Sequence, residues 1–224
     1  MRDDWAVVMV ARNARPLALA AGELGGEAVA VPGDVSAAQV SRSAVAAALE
    51  RFGRLDAVVA NAGTTVAKTI DDTTDEDLER LLDVNVKALV HLAQAAHEPL
   101  ASTRGSFIVM ASNKGLVAQR GSPVYVATKG AAIQLARALA LDWAPEGIRV
   151  NALCPGLVDT AMLRSFTAAA SDPERTLRRL RQEQPLGRLA EPAECAAAAL
   201  FLASPAAAFI TGVALPVDGG FTAQ

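Results

Sequence analysis

The chain has 224 residues, of which 52% are hydrophobic and 20% charged, and its formal net charge at pH 7 is −3. That length and apolar content predict one soluble domain whose sheet is buried on both faces. A weakly acidic chain without a basic cluster of interleaved aromatics is not expected to bind nucleic acid. The most apolar late stretch, 195–203, is far shorter than the roughly 20 residues that cross a bilayer, so we expect no membrane contact.

Short β-branched runs alternate with helical patterns along the whole chain. Predicted strands lie near 5–11, 27–31, 56–60, 105–110, 147–151 and 213–217, and predicted helices near 15–24, 37–52, 75–100, 123–143 and 191–203. Thr73 and Glu76 predict a capping box at the start of the 75–100 helix. The alternation indicates right-handed βαβ units and a parallel sheet in one domain, 1–224.

The segment 161–190 interrupts this pattern. It is rich in charge and contains Pro173, Pro185 and Gly187. We expect it to be a mobile excursion that covers a substrate site, and not a second domain.

The two cysteines and two histidines do not form a metal-ligand pattern. Cys154 and Cys195 lie far apart without the spacing of a disulfide framework, which fits a reducing, cytoplasmic setting. His91 and His97 are six residues apart on one predicted helix and face different sides, so no metal site is expected. The first five residues lack a secretory signal pattern.

Tyr125, the only tyrosine, stands four residues before Lys129 in the predicted 123–143 helix. This spacing puts a phenol and an ammonium on one helical face. A nearby positive charge favours the phenolate and lowers a tyrosine pKa from about 10 toward the working pH, as proton transfer requires. The alternative is a lysine that extends to solvent beside a half-buried tyrosine.

Two further polar residues accompany this pair. Ser112 ends an apolar, strand-like run, and Asn85 lies on the apolar stripe of the 75–100 helix. An unsatisfied amide in a core costs about 1–3 kcal/mol. Asn85 is therefore either satisfied by the fold alone or used by a site.

With these intervals, Asn85, Ser112, Tyr125 and Lys129 resemble the catalytic tetrad of the classical short-chain dehydrogenases/reductases. Further segments resemble that family in its own order. They are Gly33-Asp34-Val35, Phe52-Gly53-Arg54-Leu55-Asp56, Asn61-Ala62-Gly63, Arg149-Val150-Asn151, Cys154-Pro155-Gly156-Leu157-Val158-Asp159-Thr160, Phe209-Ile210-Thr211-Gly212 and Val217-Asp218-Gly219-Gly220. The resemblance implies an α/β fold with a Rossmann-like, doubly wound parallel sheet.

The resemblance also implies a role for each tetrad residue. Tyr125 would exchange a proton with the substrate oxygen while a nicotinamide exchanges a hydride, and Ser112 would hydrogen-bond the same oxygen. Lys129 would bind the nicotinamide ribose and lower the Tyr125 pKa. Asn85 would anchor a water that links Lys129 to solvent.

The implied cofactor is NADP or NAD. At the end of the 5–11 strand, NAD-preferring relatives have an acidic residue that binds the ribose 2′-hydroxyl. Here Ala11 takes that position and Arg12 follows, which favours the 2′-phosphate of NADP unless Arg12 is only a surface charge. The implied cofactor contacts are Arg12, Asp34, Val35, Asn61, Ala62, Gly63, Tyr125, Lys129, Pro155, Gly156, Val158 and Thr160.

The chain departs from the family in its opening segment. The family begins with a strand, a Thr-Gly-x-x-x-Gly-x-Gly turn and a helix that receives the pyrophosphate. Here Gly22, Gly25 and Gly26 follow a helix and precede a strand, the reverse of that order. We therefore expect a chain truncated at the N-terminus by about 30 residues relative to the family. If these 224 residues are the whole protein, we expect weak or absent dinucleotide binding. The strands 5–11 and 56–60 would then either pair directly or leave a cleft.

Three functions follow as hypotheses. The first is an NAD(P)-dependent oxidoreductase that acts on a small or medium alcohol or ketone. The second is a scaffold that has lost dinucleotide binding and serves in assembly. The third is a cofactor-free lyase such as the halohydrin dehalogenases, against which Lys129 counts because those relatives carry arginine there. The family also implies a homodimer or homotetramer.

Overall fold

The computed structural model describes residues 5–168 and 170–224 of the chain. The strands in these ranges are β1 (Val7–Ala11), β2 (Ala28–Pro32), β3 (Ala57–Ala60), β4 (Ser106–Met110), β5 (Arg149–Pro155) and β6 (Ala214–Val217). The α-helices are α1 (Ala14–Leu24), α2 (Ala38–Phe52), α3 (Asp75–Leu82), α4 (Ala88–Thr103), α5 (Pro123–Trp143), α6 (Ala161–Ala168), α7 (Pro173–Gln182) and α8 (Pro192–Ala203). The predicted α/β class is confirmed.

All strand pairs in the described ranges are parallel, and they form two sheets. Strand β1 pairs with β2, with Val7 opposite Ala28. The second sheet has the order β3-β4-β5-β6. Strands β1 and β3 are not hydrogen-bonded to each other within the described residues, so the structure has the open arrangement and not the direct pairing.

The side chains of the second sheet alternate between two core clusters. Phe107 and Val109 of β4 pack with α2, α4 and α5 on one face, whereas Ile108 packs with α8 on the other. A period of two is what a strand that is buried on both faces requires. The core is therefore thickest over β4 and β5, whose carboxyl ends carry the candidate site.

The two strands that border the gap between the sheets are less well covered. No residue of β1 is fully buried, and Val59 of β3 is 45% exposed, whereas four of the five residues of β4 are buried. Helix α2 packs on β1 and β2 and also on α4, so it joins the two sheets.

The predicted capping box was displaced by one residue. Thr74, not Thr73, is the N-cap of α3: its Oγ1 accepts from the Asp77 amide at 3.2 Å, and Asp77 accepts from the Thr74 amide at 3.3 Å. The hydroxyl of Thr73 donates to the Thr69 carbonyl at 2.7 Å and is not available as a cap.

The helix predicted over 75–100 is also interrupted. A π-helical turn at Asp83–Lys87 separates α3 from α4 and contains Asn85. Such turns insert one residue into a helix and are frequent at functional sites. The apolar periodicity does not reveal this insertion, because it continues on both sides.

The segment 161–190 contains helices that the sequence pattern did not predict. Asp172 caps α7 by accepting from the Arg175 amide at 2.9 Å. After α7 the chain returns to the sheet, where Leu186 donates to the Gly219 carbonyl at 3.2 Å and Ala190 pairs with Val158. The end of the segment is thus fixed against the carboxyl ends of β5 and β6.

Among the described residues, no helix combines the length and apolar character that crossing a membrane requires. The same residues contain no group of three histidine, cysteine, aspartate or glutamate side chains close enough to share a metal ion.

Candidate active site

The predicted catalytic residues lie at the carboxyl ends of the central strands. Ser112 follows β4, Gly63 follows β3, and Gly156 follows β5. Because these strands are parallel and adjacent, their carboxyl ends share one edge of the sheet, which is where open α/β sheets bind ligands. Helix α5 brings Tyr125 and Lys129 to this edge.

Ser112 is held by the turn that follows it. The residue has an extended backbone and is the N-cap of the 3₁₀ turn Asn113–Gly115, with its Oγ accepting from the Lys114 amide at 3.1 Å. A Cβ added at Gly115 would lie 2.6 Å from the Lys129 carbonyl oxygen, so only glycine allows this turn to pack on α5. This contact brings Ser112 to the residues of α5.

Tyr125 is half-buried beside Ser112. Burial raises the pKa of Tyr125 above its ordinary value, and a hydrogen bond with the Ser112 side chain opposes that shift. The Lys129 Nζ lies 5.9 Å from the centroid of the Tyr125 ring. The expected lowering of the Tyr125 pKa by Lys129 is therefore wrong for this arrangement, because the loss of solvation dominates and the phenol stays neutral at pH 7.

Lys129 is an almost fully buried amine. It is 6% exposed, and burial lowers its pKa to about 8. Its Nζ donates to the Met110 carbonyl at 3.0 Å, at the end of β4. A Cβ added at Gly63 would lie 3.3 Å from this Nζ, so the absence of a side chain at Gly63 leaves the ammonium accessible from the β3 side.

Asn85 links the π turn to Thr64, which follows β3, and to Thr128 of α5. Its Nδ2 donates to the Thr64 carbonyl at 2.9 Å and to the Thr128 Oγ1 at 3.1 Å, and its Oδ1 accepts from the Thr64 amide at 2.9 Å. Both N–H donors are used by protein groups. A water anchored at Asn85 would thus have to bind the remaining lone pair of Oδ1 or the backbone carbonyl.

Thr64 and Thr128 were not singled out from the sequence. Thr128 donates to the Tyr125 carbonyl at 2.8 Å and accepts from Asn85, so it links Asn85 to the backbone of Tyr125. The sequence feature that could have identified Thr128 is its position, three residues after Tyr125 and next to Lys129.

A second group of predicted residues lies at the carboxyl ends of β1 and β2. The Gly33 amide donates to the Ala11 carbonyl at 3.0 Å, which brings Arg12 and Asp34 close together. The Ser36 amide and hydroxyl donate to Asp34 and lower its pKa, and the charge of Arg12 acts in the same direction. Arg12 is exposed, with its guanidinium open to solvent.

The remaining predicted cofactor contacts follow β3 and β5. Asn61 and Ala62 are exposed at the end of β3, and Val35 is half-buried beside Asp34. Pro155 ends β5, Val158 pairs with Ala190, and Thr160 Oγ1 accepts from the Leu163 amide at 3.4 Å. These residues lie along the same sheet edge as Ser112. Ser112 and Tyr125 are adjacent, and Asn85 is linked to Tyr125 through Thr128, whereas Arg12, Asp34 and Val35 belong to the separate β1–β2 sheet.

Comparison with known proteins agrees with this arrangement. A family model described as Enoyl-(Acyl carrier protein) reductase matches residues 1–222. An L-fucose dehydrogenase from Mus musculus is 42% identical over 193 residues, which are 86% of this chain and 70% of that protein. A 3-ketoacyl-(acyl-carrier-protein) reductase from Brucella melitensis, solved with NADH, has a TM-score of 0.88 and 34% identity and covers 97% of this chain and 88% of its own. A gluconate 5-dehydrogenase from Burkholderia cenocepacia, solved with NADP and tartrate, has a TM-score of 0.89 and 31% identity over 98% of this chain and 86% of its own.

The fold, with Ser112, Tyr125 and Lys129 at its sheet edge, defines a Rossmann-type oxidoreductase. The chain belongs to the short-chain dehydrogenase/reductase family. It is an NAD(P)-dependent oxidoreductase, and these relatives give no support to the scaffold alternative.

Proposed function

We propose that the chain interconverts a small alcohol and its ketone or aldehyde, with Tyr125 as the residue that exchanges the proton. The observation that carries this proposal is the convergence of Tyr125 with Ser112 and Lys129 at the carboxyl edge of the sheet. The test is to follow reduced nicotinamide by absorbance while a panel of secondary alcohols and ketones is offered to the parent chain and to Tyr125→Phe. Turnover by the parent that Tyr125→Phe abolishes supports the proposal.

The protonation states suit this chemistry. The neutral Tyr125 phenol has a proton to donate to a carbonyl oxygen in the direction of reduction, and the Ser112 hydroxyl donates a hydrogen bond to the same oxygen. Lys129, with a pKa of about 8, is predominantly charged at pH 7. The bound nicotinamide supplies or accepts the hydride.

The residues present fit a nicotinamide cofactor. An ammonium has three N–H donors, and Lys129 uses one of them on Met110 among the described residues. Two donors remain for ribose hydroxyls, on the side that the missing side chain of Gly63 leaves open. We assign the carboxamide end of the cofactor to Pro155, Gly156, Val158 and Thr160, and its middle to Asn61, Ala62 and Gly63.

We favour NADP over NAD. The exposed guanidinium of Arg12 is suited to a 2′-phosphate, while Asp34 and Val35 would contact the adenine. Asp34 is engaged by Ser36, which leaves its carboxylate less able to accept from a ribose 2′-hydroxyl. Arg12→Ala should weaken binding of NADPH more than binding of NADH. Equal losses for the two cofactors would assign Arg12 to the surface.

We also propose that the pyrophosphate is weakly held by these 224 residues. No strand lies between β1 and β3 among the described residues. No glycine-rich turn there leads from a strand into a helix N-terminus, the usual anion site of this fold. This arrangement supports weak binding of the pyrophosphate by the described residues.

The proposal extends to the oligomeric state of the protein. We infer a homodimer or homotetramer, because α4 and α5 leave an apolar groove of about 350 Å³ between them. The groove is lined by Val90, Ala93, Gln94, His97, Leu135, Leu139 and Trp143.

The free thiols of Cys154 and Cys195 support a cytoplasmic location. The segment 161–190 would cover the substrate.

A further inference from the structure

Gln184 carries a buried carboxamide that the fold does not use. Its side chain is 3% exposed, and neither Nε2 nor Oε1 has a hydrogen-bond partner among the described residues. Buried amides are nearly always paired, and an unpaired one is costly. A carboxamide left in this state at the edge of a ligand site requires a reason.

The position of Gln184 places it beside the candidate active site. It follows α7, between the turn after β5 and the turn after β6. A Cβ added at Gly156 would lie 3.2 Å from Gln184 Oε1 and 2.8 Å from the Asp218 Cα, so Gly156 is what lets these three residues approach one another. Gly156 and Ser112 follow neighbouring strands at the same edge of the sheet.

A cavity adjoins the Gln184 side chain. Its volume is about 260 Å³, and its lining includes Leu157, Gln184, Leu186, Pro216 and Asp218. One water occupies about 30 Å³ of the liquid. The cavity therefore has room for a part of an organic ligand and not only for a solvent molecule.

Lys114 provides a second unpaired polar group, within reach of the charge of Asp218, which lines this cavity. Its backbone amide holds Ser112, and its Nζ lies 3.7 Å from the centroid of the Phe221 ring. Among the described residues the ammonium has no hydrogen bond or salt bridge with a protein group. The turn that carries Phe221 is fixed by Asp218, which accepts from the amides of Gly220 at 3.1 Å and Thr222 at 3.0 Å.

We propose that Gln184 and Lys114 form a subsite for the hydroxyl groups of a polyhydroxylated substrate, remote from the carbon that reacts. A carboxamide offers a donor and an acceptor, as a hydroxyl does, so each can satisfy the other. An alkyl chain in the same place would leave the carboxamide unpaired, and such sites discriminate strongly against analogues that lack the hydroxyl.

The local charges favour a neutral polyol over an anion. Glu183 and Asp218 are both close enough to act on the charge of the Lys114 ammonium, and the other cation at the cavity, Arg188, is already paired with Glu194 at 2.7 Å. A ligand carboxylate would add a third negative charge to this group. Neutral hydroxyls accept from Lys114 without that repulsion. This inference rests on the proposed function only in naming the subsite as part of the substrate pocket.

The test uses Gln184→Leu, which keeps the approximate volume and removes both polar atoms. Binding is measured by saturation-transfer NMR without cofactor, for the pentitols xylitol, ribitol and D-arabinitol and for 2-pentanol. The parent should bind at least one pentitol more tightly than 2-pentanol, and Gln184→Leu should lose that preference by about tenfold or more. Its melting temperature should not fall, because an unpaired buried amide is replaced by an apolar group.

Two further variants complete the test. Gln182→Leu makes the same change two residues earlier at an exposed position, and it should leave pentitol binding as in the parent. Lys114→Met should weaken pentitol binding and leave 2-pentanol unaffected. The inference is overturned if the parent shows no preference for pentitols, or if Gln184→Leu keeps that preference.

The outcome is separable from that of the proposed function. Loss of pentitol binding in Gln184→Leu, together with an absence of hydride transfer in the parent, would support the proposed subsite and contradict the proposed activity. Hydride transfer with equal rates on pentitols and 2-pentanol in both forms would keep the activity and reject the subsite.

Discussion

The Nδ2 of Asn85 donates to the Oγ1 of Thr128 at 3.1 Å, and this bond fastens the π turn to α5 one residue before Lys129. Thr128 in turn donates to the Tyr125 carbonyl at 2.8 Å. The side chain of Asn85 thereby fixes the first two turns of α5, from which the phenol and the ammonium project. Its effect on catalysis is one of position, exerted through Thr128.

Replacing Asn85 by leucine should destabilise the protein. The change removes three hydrogen bonds and leaves the Thr64 amide and carbonyl without their partner. A buried group left unpaired costs about 1–3 kcal/mol, so we expect a loss of about 2–4 kcal/mol in the free energy of unfolding. Urea denaturation measures it, with Asn61→Leu at an exposed position as the control. A loss no greater than that of the control would show that Asn85 is dispensable for the fold.

Replacing Tyr125 by phenylalanine should abolish turnover and spare cofactor binding. The ring that packs beside Ser112 remains, and only the exchangeable proton is removed. A positioned acid or base contributes about 10²–10⁴-fold to a rate, so kcat should fall by that factor. Steady-state kinetics and a fluorescence titration with NADPH measure the two quantities. Turnover within tenfold of the parent would exclude Tyr125 as the proton donor.

The sequence predicted the α/β class and the parallel pairing of the strands, because both depend on residue patterns along the chain. It did not predict the direction of the Tyr125 pKa shift, since burial arises only when α5 packs on the turn after Ser112. The sequence also could not distinguish Thr73 from Thr74 as the helix cap, because both residues have the side chain that capping requires. Only the φ and ψ angles of Thr74 decide it.

Gln184 was missed for a related reason. It stands in a charged stretch that resembles a solvated helix face, and nothing in the pattern distinguishes it from its exposed neighbours Gln182 and Glu183. Its burial results from the return of the chain to Gly219, a long-range contact. The parts of the site built from such contacts could not be predicted from local patterns.

Lys129 should make the stability of the protein depend on pH. Its pKa is about 8 in the folded chain and near 10.5 when unfolded, so between these values the unfolded state binds more protons. Stability should therefore rise as the pH increases above about 8. Lys129→Met should lack this rise when denaturant midpoints are compared at pH values across this range.

Cys154 should change the stability of the protein in the opposite direction at higher pH. Burial raises its pKa from 9.0 to about 11, so the folded state binds more protons between these values and stability falls as the pH increases. The contribution of Lys129 is therefore taken between pH 8 and 9 as the difference between the parent and Lys129→Met. Cys154→Ala should extend the rise beyond pH 9. A parent whose stability falls between pH 8 and 9 would contradict the assignment to Lys129.

The groove between α4 and α5 should be covered by a second copy of the chain. Leu139 lines this groove, and His97 stacks on Trp143 within it, with ring centroids 4.8 Å apart. Leu139→Glu would place a carboxylate and its symmetry mate in an apolar contact, and it should shift the protein toward the monomer. Leu19→Glu, at an exposed position of α1, serves as the control. Light scattering at micromolar concentration measures the mass, and a monomeric parent would refute the assembly.

The gap between β1 and β3 leads to the last prediction. Each backbone group along these edges must find water or another chain, because neither strand pairs with the other in the described part of the chain. Within residues 5–168 and 170–224, no helix N-terminus with a glycine-rich turn lies between them to receive the pyrophosphate.

We therefore expect weak NADPH binding by the 224-residue chain. A fused segment containing a strand, a Thr-Gly-x-x-x-Gly-x-Gly turn and a helix should raise both the NADPH affinity and the melting temperature. The control is the same fusion with the three glycines replaced by alanine, which should keep part of the gain in stability and lose the gain in affinity. Calorimetry decides the matter: micromolar affinity of the chain without the segment would mean that Lys129, Gly63 and their neighbours hold the cofactor alone.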